Sequence, residues 1–294
     1  MSTEAVGRRS AGRRLADLFH GRPRLQAGAL LGGPVAWLVI GYLGSLAVLL
    51  ISGFWTVDAL SGELVQGLSL ENFQTLLEET VYKDIVLRTV GVAAAVTVTD
   101  ALIAFPIAFY MAKLASRRAR AMLLVAILLP LWSSYLVKVL SWRTMLSSDG
   151  VVNWALEPFG LHGPGFGITA VWLVMTYLWL PYMILPIYAG LERIPDSMIS
   201  ASEDLGASPF TTFRRVILPL SFPAVVAGSI FTFSLTLGDY ITPRMVSNDQ
   251  FIGNVIFNNI STNLPLASAL AMVPIVVMVG YLLVARKMGA FEHV

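Results

Sequence analysis

The sequence has 294 residues, of which 56% are hydrophobic and only 13% charged, with a mean hydropathy of +0.73. A water-soluble domain carries about 25% charged residues and could not bury this much apolar surface, so lipid is the solvent for much of the chain. The absence of cysteine excludes a disulfide framework, a thiol nucleophile and a cysteine metal site, and three scattered histidines (His20, His162, His293) argue against a histidine metal centre or a Ser-His-Asp triad.

Residues 1–27 read as a basic tail, with Arg8, Arg9, Arg13, Arg14, Arg22 and Arg24. Leu15, Leu18 and Phe19 recur there at helical spacing. That pattern suits a short helix on anionic headgroups as well as a disordered tail that only sets topology. No charge occurs in residues 25–57, a run of 33. A cleavable signal peptide has an apolar region of about 7–15 residues, so this run is expected to be a retained span. At about 20 apolar residues per helical crossing, residues 28–294 are expected to form one all-α polytopic domain. Its six transmembrane helices fall near 28–53, 88–112, 120–141, 167–190, 216–238 and 265–286. Fifteen of the 20 basic residues then lie on one side: the tail, Lys113, Arg117, Arg118 and Arg120 after the second span, Arg193, Arg214 and Arg215 after the fourth, and Arg286 and Lys287 at the end. Basic residues mark the cytoplasmic side, so both termini are expected there. The first opposite loop is mostly acidic, with Asp58, Glu63, Glu71, Glu78, Glu79 and Asp84.

Few ionisable groups lie within the spans. Asp100 sits in the second, where a charge costs roughly 2.5–3.5 kcal/mol at the bilayer centre, so it should face a cavity or a partner such as Lys138. Trp132, Tyr135 and Trp142, in and just past the third span, are spaced to share one helical face. Asp239 and Tyr240 end the fifth. Carboxylates beside aromatic faces suit an ammonium group through charge and cation–π attraction, although Trp and Tyr also populate interfacial belts and Asp239 could simply order the turn at 238–240. Pathway roles are therefore expected for Asp100, Trp132, Tyr135, Trp142, Asp239 and Tyr240.

Between the fourth and fifth spans lies a polar stretch, SEDLGASPFTTFRRVILP (202–219), within a loop of residues 191–219. Asp196-Ser197, after Ile194-Pro195, reads as a helix start. Gly206 suits the left-handed conformation that ends a helix, and Ser208-Pro209 opens a second helix with Ser as cap and Pro at the first position. Phe210, Phe213, Val216 and Ile217 give that helix an apolar stripe. A compact helical pair rooted in two spans is a docking surface: Ala201 and Ala207 permit close approach, and Phe210 or Phe213 would anchor a partner. None of the four lysines follows a G-x-x-x-x-G pattern, so no nucleotide site is expected in this chain.

This stretch resembles the cytoplasmic loop of binding-protein-dependent ABC importer permeases. In that family Glu-Ala-Ala is followed by three residues, a Gly, nine residues and Ile-x-Leu-Pro. Here Ser200-Ala201-Ser202, Glu203-Asp204-Leu205, Gly206, nine residues and Val216-Ile217-Leu218-Pro219 stand in that order. The head departs: Ser200 replaces the Glu, and Glu203 or Asp204 could take over its contact. The stretches SWRTMLSSDGVVNWAL (141–156), LGDYITPRMV (237–246) and IGNVI (252–256) resemble the spermidine/putrescine branch. The resemblance implies a type I importer permease fold and a non-catalytic permease subunit of a bacterial inner membrane. It implies a coupling helix seated on a dimer of ATPase subunits, with Ala201, Glu203, Asp204, Leu205, Gly206, Ala207, Phe210, Phe213 and Pro219 at the contact. It further implies a second homologous permease, an extracytoplasmic solute-binding protein, ATP and Mg held by the ATPase and not by this chain, no nucleic-acid partner, and a polyamine substrate. The rival class is a secondary transporter or channel for a small cation that works without an ATPase. That class favours an internal repeat of broken helices; no convincing repeat is visible.

Overall fold

The computed structural model describes residues 23–58 and 61–287, so residues 1–22 of the expected 1–27 tail, with the candidate surface helix at Leu15, Leu18 and Phe19, lie outside the described residues, while residues 23–27 belong to the first helix. The chain divides into two compact units, residues 1–52 and 53–294. In the first, α1 (Pro23–Trp37) passes through a π-helical turn (Leu38–Leu43) into α2 (Gly44–Ser52).

The second unit opens with a two-stranded antiparallel hairpin, β1 (Thr56–Val57) and β2 (Leu64–Val65), pairing Thr56 with Val65 and Val57 with Leu64. The short α3 (Glu71–Glu78) is tied beneath it by Asn72, whose Nδ2 donates to the carbonyls of Gly53 (3.0 Å) and Trp55 (2.8 Å). Then follow α4 (Thr80–Phe109), continued by a π turn (Tyr110–Leu114), α5 (Arg117–Trp132), α6 (Tyr135–Leu146), α7 (Val151–Leu156) and α8 (Ile168–Glu192). The chain continues with α9 (Asp196–Asp204), α10 (Pro209–Thr212), a π turn (Phe213–Ile217), α11 (Leu218–Gly238), α12 (Ile241–Val246), α13 (Ile252–Asn259) and α14 (Leu264–Lys287). Lipid offers no hydrogen-bond partner, so apolar runs of this length must satisfy their own backbone, as helices do.

Among the described residues, five helices are long and apolar enough to cross a membrane: Leu30–Ser52, Thr80–Leu114, Ile168–Glu192, Pro209–Gly238 and Leu264–Lys287. The remaining expected span, 120–141, is not one straight helix. It is the pair α5 and α6, bent by 94° at Ser133-Ser134, and the count reaches six with that pair taken as one broken span. Pro130 cannot donate to the helix ladder, and the Ser133 hydroxyl turns back to the Pro130 carbonyl at 2.8 Å, ending α5 there. Two spans also start earlier than their apolar runs. The second begins at Thr80 despite Lys83, Asp84 and Arg88, and the fifth at Pro209, because α10 runs through the π turn directly into α11.

The core of this unit is α4, α8 and α11 packed together. α8 is its centre, burying Val174, Met175, Met183, Ile187 and Leu191. Small residues let α8 and α11 approach closely, as between helices in membranes: a Cβ built on Gly190 would lie 2.3 Å from the Ala224 Cβ, and one on Gly228 would lie 2.7 Å from the Met183 Sδ.

Candidate functional site

The polar loop folds as a hairpin. Pro195 stands before α9 with no side-chain cap, and Asp196, in the first turn, points instead to Lys113. At the other end Gly206 takes φ +78°, the Gly206 amide donates to the Glu203 carbonyl (2.8 Å) and the Ala207 amide to the Ser202 carbonyl (3.1 Å). That paired closure is the Schellman motif, which satisfies the last carbonyls of the helix. Ser208 then caps α10, accepting from the Thr211 amide at 3.3 Å, with Pro209 at the first position. The Ser202 and Thr212 hydroxyls, 3.0 Å apart, join the two arms.

The hairpin separates its two phenylalanines. Phe210 is 71% exposed and Leu205 88% exposed, so both project from the molecule beside Ala201, Glu203 and Asp204, which are also exposed; Ala207 is half-buried. Phe213 instead packs edge-on against Phe105 (5.6 Å) and Phe109 (6.5 Å) of α4. Pro219 lies in the first turn of α11, just past the π turn. A wider turn there relieves the clash of a proline ring with the carbonyl four residues back.

Basic residues fasten the root of the hairpin. Lys113 Nζ donates to the Ile194 carbonyl (2.6 Å) and to Asp196 Oδ1 (2.8 Å). Arg120 donates to the carbonyls of Met111 (2.9 Å) and Ala112 (3.1 Å), within the π turn that continues α4, and to Glu192 Oε1 (3.2 Å) at the end of α8. The bonded ammonium of Lys113 holds the Asp196 carboxyl below its ordinary value of 3.8, first through the hydrogen bond and then through charge attraction.

Inside the bundle, Asp100 is fully buried and neither of its oxygens has a hydrogen-bond partner. Lys138 does not reach it; its Nζ donates to the Pro130 carbonyl at 3.2 Å. One turn earlier on α4, Thr97 Oγ1 accepts from Thr232 of α11 at 3.4 Å. That bond puts Asp100 level with Ser229 on the antiparallel α11. On α8, Thr176 Oγ1 and Trp179 Nε1 are likewise buried and unpartnered. So the acid lies where three helices meet, with unused polar atoms on α4 and α8.

Beside Trp179 opens a cavity of 310 Å³ lined by Tyr135, Ser234, Leu235, Gly238, Asp239 and Tyr240. Tyr135 stacks on Trp179 at 6.0 Å and donates its hydroxyl to Asp239 Oδ2 at 2.5 Å. Thr242 Oγ1 donates to the same oxygen (2.6 Å), and the amides of Ile241 (2.9 Å) and Thr242 (3.2 Å) donate to Oδ1. Asp239 thus organises the start of α12 while standing at the cavity wall. Tyr240 stacks on Phe257 at 4.7 Å, and Arg244 lies over that ring at 5.1 Å. Trp142 packs on Tyr177 at 5.4 Å. Trp132 is 88% exposed on the far side of the 94° bend, so Trp132, Tyr135 and Trp142 do not share one face.

Residues 90–292 match the family described as binding-protein-dependent transport system inner membrane component. The chain belongs to that family. An inner membrane ABC transporter permease protein of Escherichia coli K12, YdcU, is 42% identical over 95% of both chains. The spermidine/putrescine transport system permease protein PotB of Haemophilus influenzae is 30% identical over 80% of this chain and 84% of its own. Among solved structures, an ABC transporter that imports the acidic polysaccharide alginate matches with a TM-score of 0.68 at 18% identity, covering 94% of this chain and 98% of that one. A second alginate transporter structure, in complex with a periplasmic protein bound to an alginate pentasaccharide, matches with a TM-score of 0.70 at 17% identity over 88% and 92% of the two chains. At such identities the likeness shows the fold alone, that of type I importer permeases.

As an ABC importer permease of the inner membrane, the chain is a multi-pass, non-catalytic subunit, and the ATPase-independent rival is set aside. Trp179, Thr176, Lys113 and Arg120 were missing from the residues singled out by sequence. Trp179 and Thr176 stand in an unbroken apolar run where nothing separates core from cavity, while Lys113 and Arg120 read only as markers of topology.

Proposed function

We propose that this permease forms half of the pathway for a polyamine such as spermidine or putrescine, pairing with a second permease. A dimer of ATPase subunits docks on the α9–α10 hairpin on the cytoplasmic side, where both chain termini also lie, and a solute-binding protein delivers the substrate from outside. Leu205 and Phe210, both exposed on the hairpin, support the docking role. So do Glu203 and Asp204, which sit at the C-terminal end of α9. The helix dipole disfavours an acid there by about 0.3–1 kcal/mol, so their position suits basic groups on a partner better than it suits α9. ATP binding closes the ATPases and swings the hairpin, and Phe213, wedged against Phe105 and Phe109, passes that motion to α4, the helix that carries Asp100.

The observation that carries the substrate reading is the aromatic cavity whose one charged lining residue, among the described residues, is Asp239. A carboxylate between Tyr135, Trp179 and Tyr240 attracts an ammonium through both charge and ring faces, and would repel an acidic polymer. Because Asp239 already accepts four hydrogen bonds, Asp100 is the acid with acceptor capacity to spare. Its burial means that the helices must part before a cation reaches it. The name of the PotB relative supports the same substrate class.

The test is the purified complex in proteoliposomes with spermidine-loaded binding protein. Spermidine should stimulate ATP hydrolysis and enter the vesicles. In Asp100→Asn uptake should fall about tenfold or more, since a hydrogen bond to a charged group is worth about 1.5–3 kcal/mol, with subunit assembly unchanged. Uptake of polyamine unaltered in Asp100→Asn removes that residue from the pathway. A chain that purifies without an ATPase contradicts the docking assignment.

A further inference from the structure

Where α4 meets α11 the surface carries an apolar groove of 470 Å³, lined by Leu102, Phe105 and Phe109 on one side and Phe213, Phe222 and Val225 on the other. It contains no charged side chain, and Leu102 beside it is 71% exposed. On α11 the wall is built from Leu218, Phe222 and Val225, spaced four and three residues apart and therefore on one helix face. Phe213, which lines the groove, is followed directly in the π turn by Arg214 and Arg215. Both arginines are exposed, and among the described residues neither forms an ion pair, in contrast to Arg88 and Arg120, which pair with Asp249 and Glu192. A long apolar trough that ends in two free cations has the outline of one amphiphile: an acyl chain along the trough and an anionic head at the arginines.

We propose that this groove is a binding site for an anionic phospholipid. The apolar part cannot select its occupant, because moving a chain from surrounding lipid into a groove of leucine and phenylalanine exchanges one apolar surface for another. Selection falls to the head. Basic groups near a membrane surface each contribute enough attraction for two arginines to favour an anionic over a zwitterionic lipid by about thirtyfold. Because Phe213 forms part of the groove and also packs on Phe105 and Phe109, an acyl chain lying there supports the joint through which the hairpin reaches α4.

The experiment places the full chain, assembled with its partners, in nanodiscs of equal phosphatidylglycerol and phosphatidylcholine. Native mass spectrometry then counts the lipids retained on release. One phosphatidylglycerol should be kept with a preference of roughly thirtyfold. That preference should vanish in Arg214→Gln/Arg215→Gln and return in Arg214→Lys/Arg215→Lys, which restores charge without restoring side-chain geometry. Val225→Trp, which fills the trough from the other end, should lose the lipid with both arginines intact. Equal retention of the two lipids, or phosphatidylglycerol kept unchanged in both the Gln and Trp variants, overturns the site. This chain has no cysteine, so with partner chains stripped of theirs Leu102→Cys is the one thiol for a spin label in the same assembly. Relaxation by a lipid-soluble collider is expected. A label shielded from it would mean that the second permease covers the groove, and the proposal would fall.

Discussion

Gly206 shows how much one residue can carry. Its φ of +78° lies where an L side chain meets its own backbone, at a cost of roughly 1–2 kcal/mol, while a Cβ there would touch nothing within 4 Å. Any penalty of substitution is thus conformational and not steric. Transport coupled to ATP hydrolysis should decline in the order Gly206, Gly206→Asn, Gly206→Ala, Gly206→Val, because Asn visits the left-handed region and β-branched residues resist it most. Paired assays of uptake and ATP hydrolysis in proteoliposomes at matched protein content check this; equal coupling in the Val and Asn variants would remove the turn from the mechanism. This position was legible in sequence because only one residue type tolerates that geometry cheaply, and a Gly three residues before Pro209 has few other uses. Asp100 stood out for a related reason, being an acid where acids are costly, but the partner expected for it in Lys138 is not there: both its oxygens are buried without a hydrogen bond and Lys138 turns to Pro130. Thr176 and Trp179 were not legible, since the burial of a polar atom without a partner is a property of packed helices and no single helix encodes it.

At the scale of elements, apolar run length predicted the straight spans well, because lipid thickness sets a minimum that the chain must meet. It could not predict the 94° bend between α5 and α6, since both sides of the break remain apolar and a run of hydropathy has no direction. Only Pro130 with Ser133-Ser134 hinted at it. Nor could it foresee that cations next to the second span would cap the root of α9. Here Lys113 is largely buried, with 9% of its side chain exposed, against 87% for Asp196. The two ends of this contact should therefore respond differently. Lys113→Met leaves the Ile194 carbonyl without its donor, a loss of about 1–3 kcal/mol for a buried acceptor, and hydrogen exchange across α9 should accelerate. Asp196→Asn should change exchange little, because an exposed carboxylate is screened by solvent. Since the folded state holds the Asp196 carboxyl below its ordinary value, its contribution is fully present above about pH 4 and fades only as pH falls below that. Protection factors of the α9 amides, which remove the intrinsic rise of exchange with pH, should be constant between pH 6 and 8; a change there would assign the anchoring to another group.

For the molecule as a whole, the core is the bundle of α4, α8 and α11, and α8 and α11 approach closely through small residues. There the backbones meet through Gly190 and Ala224, and a Cβ added to Gly190 would sit 2.3 Å from the Ala224 Cβ. Neither atom is the far end of a flexible side chain, so the helices themselves must separate. Overpacking of this kind costs typically about 1–3 kcal/mol, and Gly190→Ala should lower the thermal midpoint of the purified permease accordingly. Ala224→Gly alone should cost less, roughly 0.5–1 kcal/mol from the added backbone freedom. The double variant Gly190→Ala/Ala224→Gly moves the methyl group across the interface and should recover most of the loss, a coupling that independent sites do not show. Gly91→Ala is the matched control, with nothing within 4 Å of the new methyl. If the double variant is no more stable than the sum of its parts, the close approach is incidental. If stability recovers and spermidine uptake does not, the contact is a bearing on which α8 and α11 turn, with its shape set on each side separately.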